Sequence, residues 1–203
     1  MRLIVISFLG SAVAALLLGR VLSRGSRGGS RIASGGACIL YVLLLLWRPD
    51  SAWISNPMVI LAGSSIGFLL SLLLSSTASV LAFLLTAAVV DLLSFSGGLT
   101  NTILSDFRAG GSGLLSYMAL FVETGGQTHA VIGVGDLAIL TASYLGFHRA
   151  TGLDTEPALW LLGGLSVALG LGLAFGGLPG IPFIAGGALC FVAKRKWLTP
   201  PGP

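Results

Sequence analysis

The stretch Pro57–Ser96 reads PMVILAGSSIGFLLSLLLSSTASVLAFLLTAAVVDLLSFS. It is an almost unbroken apolar run of about 40 residues, which as one helix would be roughly 60 Å long, twice the hydrocarbon thickness of a bilayer. Ser75-Ser76-Thr77 therefore predicts a turn between two membrane helices, 57–75 and 78–96. Reading outward in both directions, further apolar segments lie at approximately 3–19, 33–47, 129–147, 157–175 and 179–193. The expected architecture is all-α: a polytopic membrane helix bundle of about seven transmembrane helices. The segments at 33–47 and 179–193 are short for a crossing. Residues 1–203 form a single integral membrane domain, with no long-period repeat to divide it.

Composition agrees with this reading. Of 203 residues, 55% are hydrophobic and 9% charged, where a soluble domain carries about 25% charged. A soluble enzyme, a disordered chain and a disulfide scaffold are all excluded. Cys38 and Cys190 sit in apolar runs and are expected to be small buried thiols. The net charge of +4 does not imply nucleic acid, because the basic residues cluster at segment ends. The expected surroundings are the lipid bilayer.

Orientation follows from those basic residues. Arg20, Arg24, Arg27 and Arg31 lie between the first two segments, Arg149 between the fifth and sixth, and Lys194, Arg195 and Lys196 after the seventh. Seven crossings put all of them on one side, expected to be the cytoplasm, with the N-terminus outside. Arg2, Arg48 and Arg108 fall on the other side. Trp47, Trp53, Trp160 and Trp197 near segment ends match an interfacial belt. The arginines directly after the first segment make a poor cleavage context, so a retained helix is expected rather than a signal peptide. Asp154, Thr155 and Glu156 supply cap and dipole partners for the sixth helix, and Pro157 suits its first turn. Gly63 with Gly67, and Gly164 with Ala168 and Gly172, read as close helix contacts. The loop at about 97–128, on the outer side, contains Gly97-Gly98, Gly110-Gly111 and Gly125-Gly126. Its apolar patch Leu114–Val122 either lies at the interface, lines an opening, or is a covered loop between helices.

Two acidic residues lie inside apolar segments: Asp91 in LAFLLTAAVVDLL and Asp136 in VIGVGDLAIL. An aspartate at the centre of a membrane helix costs roughly 2.5–3.5 kcal/mol, against a total stability of about 5–15 kcal/mol. Neither aspartate has a Lys, Arg or His deep in its span to neutralise it; His129, about two turns before Asp136, is nearest. Asp91 lies about five residues from the outer end of its helix, roughly 8 Å deep, and Asp136 about seven residues from the outer start of the next, roughly 10 Å deep. Neighbouring antiparallel helices bring such side chains together. A close carboxyl pair holds a single proton, so one member acts as base on water while the other acts as acid on a carbonyl. Alone, each aspartate also reads as a packing residue bonded to a nearby Ser or Thr. An acidic pair also marks cation or proton pathways, so a small cation- or proton-coupled transporter is the alternative from another class.

Gly133 and Gly135 leave room for a substrate backbone beside Asp136. Gly176-Gly177-Leu178-Pro179-Gly180-Ile181-Pro182-Phe183 opposes a continuous helix. Irregular backbone at membrane depth needs a protein or wet surround. Here it reads either as a plain turn or as an edge on which an extended peptide adds a strand. The expected substrate-binding residues are thus Gly133, Gly135, Pro179, Gly180, Ile181 and Pro182. No metal is implied, since His129 and His148 lack ligand spacing with each other or with a Cys, and no cofactor is implied either.

Taken together, Asp91, Gly133-Val134-Gly135-Asp136 and Pro179-Gly180-Ile181 resemble the signature of the presenilin and signal peptide peptidase family of intramembrane aspartyl proteases. That signature is an Asp in one helix, Gly-x-Gly-Asp in the next and Pro-Ala-Leu at the start of the last. The resemblance covers approximately residues 78–193, the expected catalytic core. It implies that Asp91 and Asp136 are catalytic, that the proline motif helps bind substrate, and that the substrate is a membrane-embedded peptide or protein such as a signal peptide. The departures are Val90 where the family has Tyr, Gly180-Ile181 in place of Ala-Leu, and about seven helices instead of nine, as if the first two were missing. The orientation is more like signal peptide peptidase than presenilin. Prepilin peptidases also carry a membrane Asp and Gly-x-Gly-Asp but lack the late proline motif. The short loops point to a prokaryotic inner membrane.

Overall fold

The computed structural model describes residues 2–25, 27–47, 52–98, 102, 105, 118–124, 127–175 and 178–198. Among them are seven helices and one hairpin. In chain order these are α1 (Arg2–Arg24), α2 (Arg27–Trp47), α3 (Ala52–Ser71), α4 (Thr77–Gly97), β1 (Ala119–Thr124), β2 (Gln127–Gly133), α5 (Val134–Thr151), α6 (Thr155–Phe175) and α7 (Ile181–Leu198). The fold is mostly helical. Four helices are long and apolar enough to cross a membrane: Arg2–Arg24, Ile54–Ser71, Thr77–Gly97 and Thr155–Ala174. The other three differ for visible reasons. The first turns of α2 are rich in Gly, Ser and Arg, α5 opens on Asp136 and closes on His148-Arg149, and α7 ends in Lys194-Arg195-Lys196.

The expected break in the long apolar run is present. Ser71 ends α3, and Ser76 caps α4 by accepting the Ser79 backbone N–H while the Ser79 hydroxyl meets the Ser76 N–H. This reciprocal pairing satisfies donors that a helix start otherwise leaves open.

The all-α expectation needs correcting at residues 119–133. There the chain forms an antiparallel two-stranded sheet, with Leu120 opposite Ile132 and Phe121 opposite Ala130, so Val131 is the extra residue of a bulge. The helix expected from 129 starts instead at Val134, five residues later. Thr128–Ile132 alternates weakly and contains His129, and Gly133 adopts an extended conformation as the N-cap of α5. Ala119, Leu120 and Phe121 are buried, so this part of the patch is a covered strand. Residues 114–117 of the patch, Gly110-Gly111, Gly125-Gly126, Gly176-Gly177, Arg48 and Arg108 lie outside the described residues. So do the side chains of Arg27, Trp47, Trp53, Lys196 and Trp197; Trp160 is half-buried on α6.

Helix α5 is the axis of the bundle. Leu137, Ala138 and every residue from Leu140 to Phe147 are buried. A helix surrounded on all sides has no polar face to display. It packs most extensively on α3, and also on α1, α4 and α6. The α3–α5 approach is at backbone distance. A Cβ on Gly63 would lie 2.6 Å from Leu137 Cβ, and one on Gly67 would lie 2.5 Å from the Ala138 carbonyl oxygen. Gly164 of α6 and Gly187 of α7 are likewise pressed against the partner helix, facing the carbonyls of Phe183 and Trp160. Phe147 and Phe191 meet edge to face at 5.1 Å, tying α5 to α7. On α4 only the stripe Val80, Leu84, Ala88 is buried. Leu85, Val89, Val90 and Leu93 face outward, as do Ile6 and Leu17 of α1 and Leu159 of α6. Such an apolar exterior suits lipid rather than water.

One end of the bundle collects the basic residues. Arg20 pairs with Asp154, His148 Nδ1 lies 2.8 Å from Asp154 Oδ1, and Lys194 Nζ lies 2.7 Å from Glu156 Oε1. The Arg149 guanidinium donates to the Ser71 carbonyl and hydroxyl. Glu156 stands in the first turn of α6, as expected of a dipole partner, and the contacts of Asp154 and Glu156 with Arg20, His148 and Lys194 also lace α1, α5, α6 and α7 together. The cysteines are free thiols, as expected, but less buried than expected: Cys38 is half-buried and Cys190 exposed.

Candidate active site

The aspartates lie at the other end, on α4 and at the start of α5. Asp136 is the third residue of α5 rather than two turns inside a longer helix, because β2 replaces the first turns expected there. Its position in the first turn has a local cause: Asp136 Oδ2 accepts the Gly133 backbone N–H at 3.2 Å, reaching back across the helix start. Carboxylates are favoured at this helix end. Asp91 belongs to the last two turns of α4, and its Oδ2 accepts the Ile181 N–H at 3.2 Å.

The proline stretch joins them. A Cβ added to Gly180 would lie 2.8 Å from Asp136 Oδ1 and 3.4 Å from its Cγ. Thus Asp136 faces Gly180 while Asp91 is bonded to the next residue, Ile181. The two carboxylates converge on a single dipeptide and are within electrostatic reach of each other. Both are half-buried, and among the described residues neither has a Lys, Arg or His as an ion-pair partner. Pro179 is buried, Ile181 begins α7 and Pro182 lies in its first turn, where a missing N–H costs no helix bond.

Of the two glycines before Asp136, Gly135 is exposed with open space where a side chain would stand. Gly133 is tighter, since its Cβ would lie 3.3 Å from Asp136 Oδ2. Asp91 also lines a cavity of about 360 Å³, whose walls include Phe83, Thr86, Val90, Ile139 and Ile181. At about 30 Å³ per water molecule this has room for several waters or a bulky apolar side chain. Val90 there is small and exposed.

Asn56 of α3 was not foreseen. Its side chain donates to the Phe121 carbonyl at 2.9 Å and accepts the Phe121 N–H at 3.0 Å. It thereby occupies the outer edge of β1 as a strand would. Within the described residues β2 has β1 as its only sheet partner, so its far edge carries no third strand, and β2 runs directly into Gly133 and Asp136. The one signal for Asn56 in the sequence is an amide standing at the start of an apolar run.

The chain matches no protein-family model, no curated protein and no solved structure. What the site can do rests on its own geometry. In general, a pair of carboxyls close enough to hold one proton between them can activate water and polarise a carbonyl together.

Proposed function

We propose that this protein is an intramembrane aspartic endopeptidase that hydrolyses peptide bonds of membrane-spanning substrates or signal peptides through an Asp91/Asp136 dyad, in the manner of the presenilin and signal peptide peptidase family. The observation that carries this reading is the convergence of two carboxylates, without basic partners among the described residues, on Gly180-Ile181. In the proposed reaction one aspartate is ionised and takes a proton from water as its oxygen adds to the scissile carbonyl carbon. The other, protonated, donates to the carbonyl oxygen. Return of a proton to the amide nitrogen then lets the C–N bond break. A helical substrate must first unwind, because helical carbonyls are already hydrogen-bonded. The far edge of β2 and the Pro179–Pro182 stretch would hold the unwound strand by backbone pairing, with Gly133 and Gly135 leaving room beside Asp136. The apolar cavity at Asp91 suits one substrate side chain. The protein would sit in a prokaryotic inner membrane with its basic end in the cytoplasm and the dyad toward the outer face.

The test uses purified full-length protein in liposomes with a panel of single-span peptides, signal sequences included. Wild type is expected to cleave, with Asp91→Asn and Asp136→Asn each reducing cleavage at least about a thousandfold. Both variants should unfold at the same temperature as wild type or a higher one, since each removes an ionisable group from an apolar site. Cleavage that persists in either variant refutes the dyad. Well-folded protein that cleaves nothing but passes cations, with flux lost in both variants, would replace protease with transporter.

A further inference from the structure

A second cavity, of about 430 Å³, lies at the end of the molecule opposite the aspartates. It is a partly open cavity lined by the last turns of α1, the first turns of α2, the end of α5 and the turn between α3 and α4. Its polar wall consists of Ser23, Ser30, Arg31, Ser75 and Arg149. Among its described lining residues there is no Asp or Glu, and Arg31 and Arg149 share the wall with the serine hydroxyls. Arg149 is held at the wall by its bonds to the Ser71 carbonyl and hydroxyl. Ser30 is buried at 6% exposure. The remaining wall is apolar and includes the buried Phe68 and Leu74.

Three properties narrow what fits. Two arginines facing one space favour an anion, and the guanidinium fork matches phosphate oxygens best. Serine hydroxyls add neutral donors. The apolar side accommodates a ligand that is only partly polar. The cavity lining includes Arg149, next to the His148 that contacts Asp154, so it lies toward the same end of α5 as the Arg20–Asp154 pair, where lipid headgroups would lie in a membrane. The geometry points to a phosphate-binding site at the basic end of the bundle, filled by the phosphate of an anionic glycerolipid headgroup whose glycerol rests on the apolar wall. Bound there, the lipid clamps the α1–α2 connection onto the ends of α3 and α5. This site is separate from the aspartates and holds whether or not the chain is a protease.

Arg31 is the residue to change, because it is exposed, whereas Arg149 also anchors α3. Delipidated full-length protein in neutral detergent is titrated with dioctanoyl phosphatidylglycerol, dioctanoyl phosphatidylcholine and inorganic phosphate, and the unfolding temperature is followed. Phosphatidylglycerol is expected to raise that temperature saturably and more than phosphatidylcholine. Arg31→Gln should weaken the apparent affinity about tenfold, the loss of one charge-assisted contact. Ser75→Leu, which puts apolar bulk at the cavity mouth, should abolish the response. Arg24→Gln, at the same end but outside the cavity, should leave it unchanged. If inorganic phosphate alone reproduces the shift with the same dependence on Arg31, the lipid source is overturned in favour of a soluble phosphate. An equal response in wild type and Arg31→Gln, or no response to any of the three probes, overturns the site.

Discussion

Asp91 and Asp136 were legible as residues because a carboxylate in an apolar run is expensive and must have a cause. Their partners were harder to read. The sequence offers Gly180 as one more glycine in a proline-rich turn, yet in the fold it stands where a Cβ would crowd Asp136 Oδ1 at 2.8 Å. Gly180→Val is therefore expected to displace the carboxylate and lower peptide cleavage about a hundredfold, the scale of a small misplacement in a catalytic group. The unfolding temperature should change little, because the crowded atom ends a side chain that can move. Cleavage rate and thermal unfolding measured on the same preparation check both halves. Gly135 is the contrast. Its surroundings are open, so its expected contribution is space for substrate rather than packing.

At the scale of elements, the hairpin is the feature that periodicity did not announce. Residues 129–133 are apolar enough to continue the helix that follows, and no local residue forbids it. Tertiary contacts decide: β1 supplies a ladder, and the Asn56 side chain supplies the other edge of Phe121. Asn56→Ala would leave two partly buried backbone groups of Phe121 without these bonds, at a cost of about 1–3 kcal/mol. Because β2 leads into Asp136, cleavage should fall together with stability, which denaturant unfolding and a peptide assay measure side by side. The glycines of α6 and α7 make a cleaner comparison. Gly164 and Gly187 press on opposing backbone, whereas Gly163 and Gly186 meet nothing within 4 Å. Gly164→Ala or Gly187→Ala is expected to cost about 1–3 kcal/mol as the helices are forced apart. Gly163→Ala or Gly186→Ala should be neutral or slightly stabilising, since alanine is the better helix former. Urea unfolding of the four variants tests the pairing directly.

For the whole molecule, charge and apolar surface set the frame. The ion pairs of Arg20 and Lys194 and the His148–Asp154 contact gather at one end, the two aspartates Asp91 and Asp136 at the other, and exposed Leu, Ile and Val cover the sides between. This polarity predicts that an epitope at the C-terminus is reached by antibody only after cells are permeabilised, and one at the N-terminus without it. The reverse result would place the basic end outside and the dyad toward the cytoplasm. It would leave the proposed chemistry of Asp91 and Asp136 untouched but change which end of a proposed substrate reaches them.

By itself the sequence determined that the chain is mostly helical with runs long and apolar enough to cross a membrane, that its basic residues cluster at segment ends, and that two aspartates stand at costly places in apolar runs. These readings depend on composition and on spacing along single helices, which the chain carries locally. The tertiary structure alone decided where α5 begins, that a hairpin precedes it, that Asn56 holds that hairpin, and that Gly180 and Ile181 are the residues on which both carboxylates meet. Each of these depends on groups from distant parts of the chain satisfying one another's hydrogen bonds or excluding one another's atoms. Residues 56 and 121, or 91 and 181, have no relation until helices pack and their backbone groups need partners.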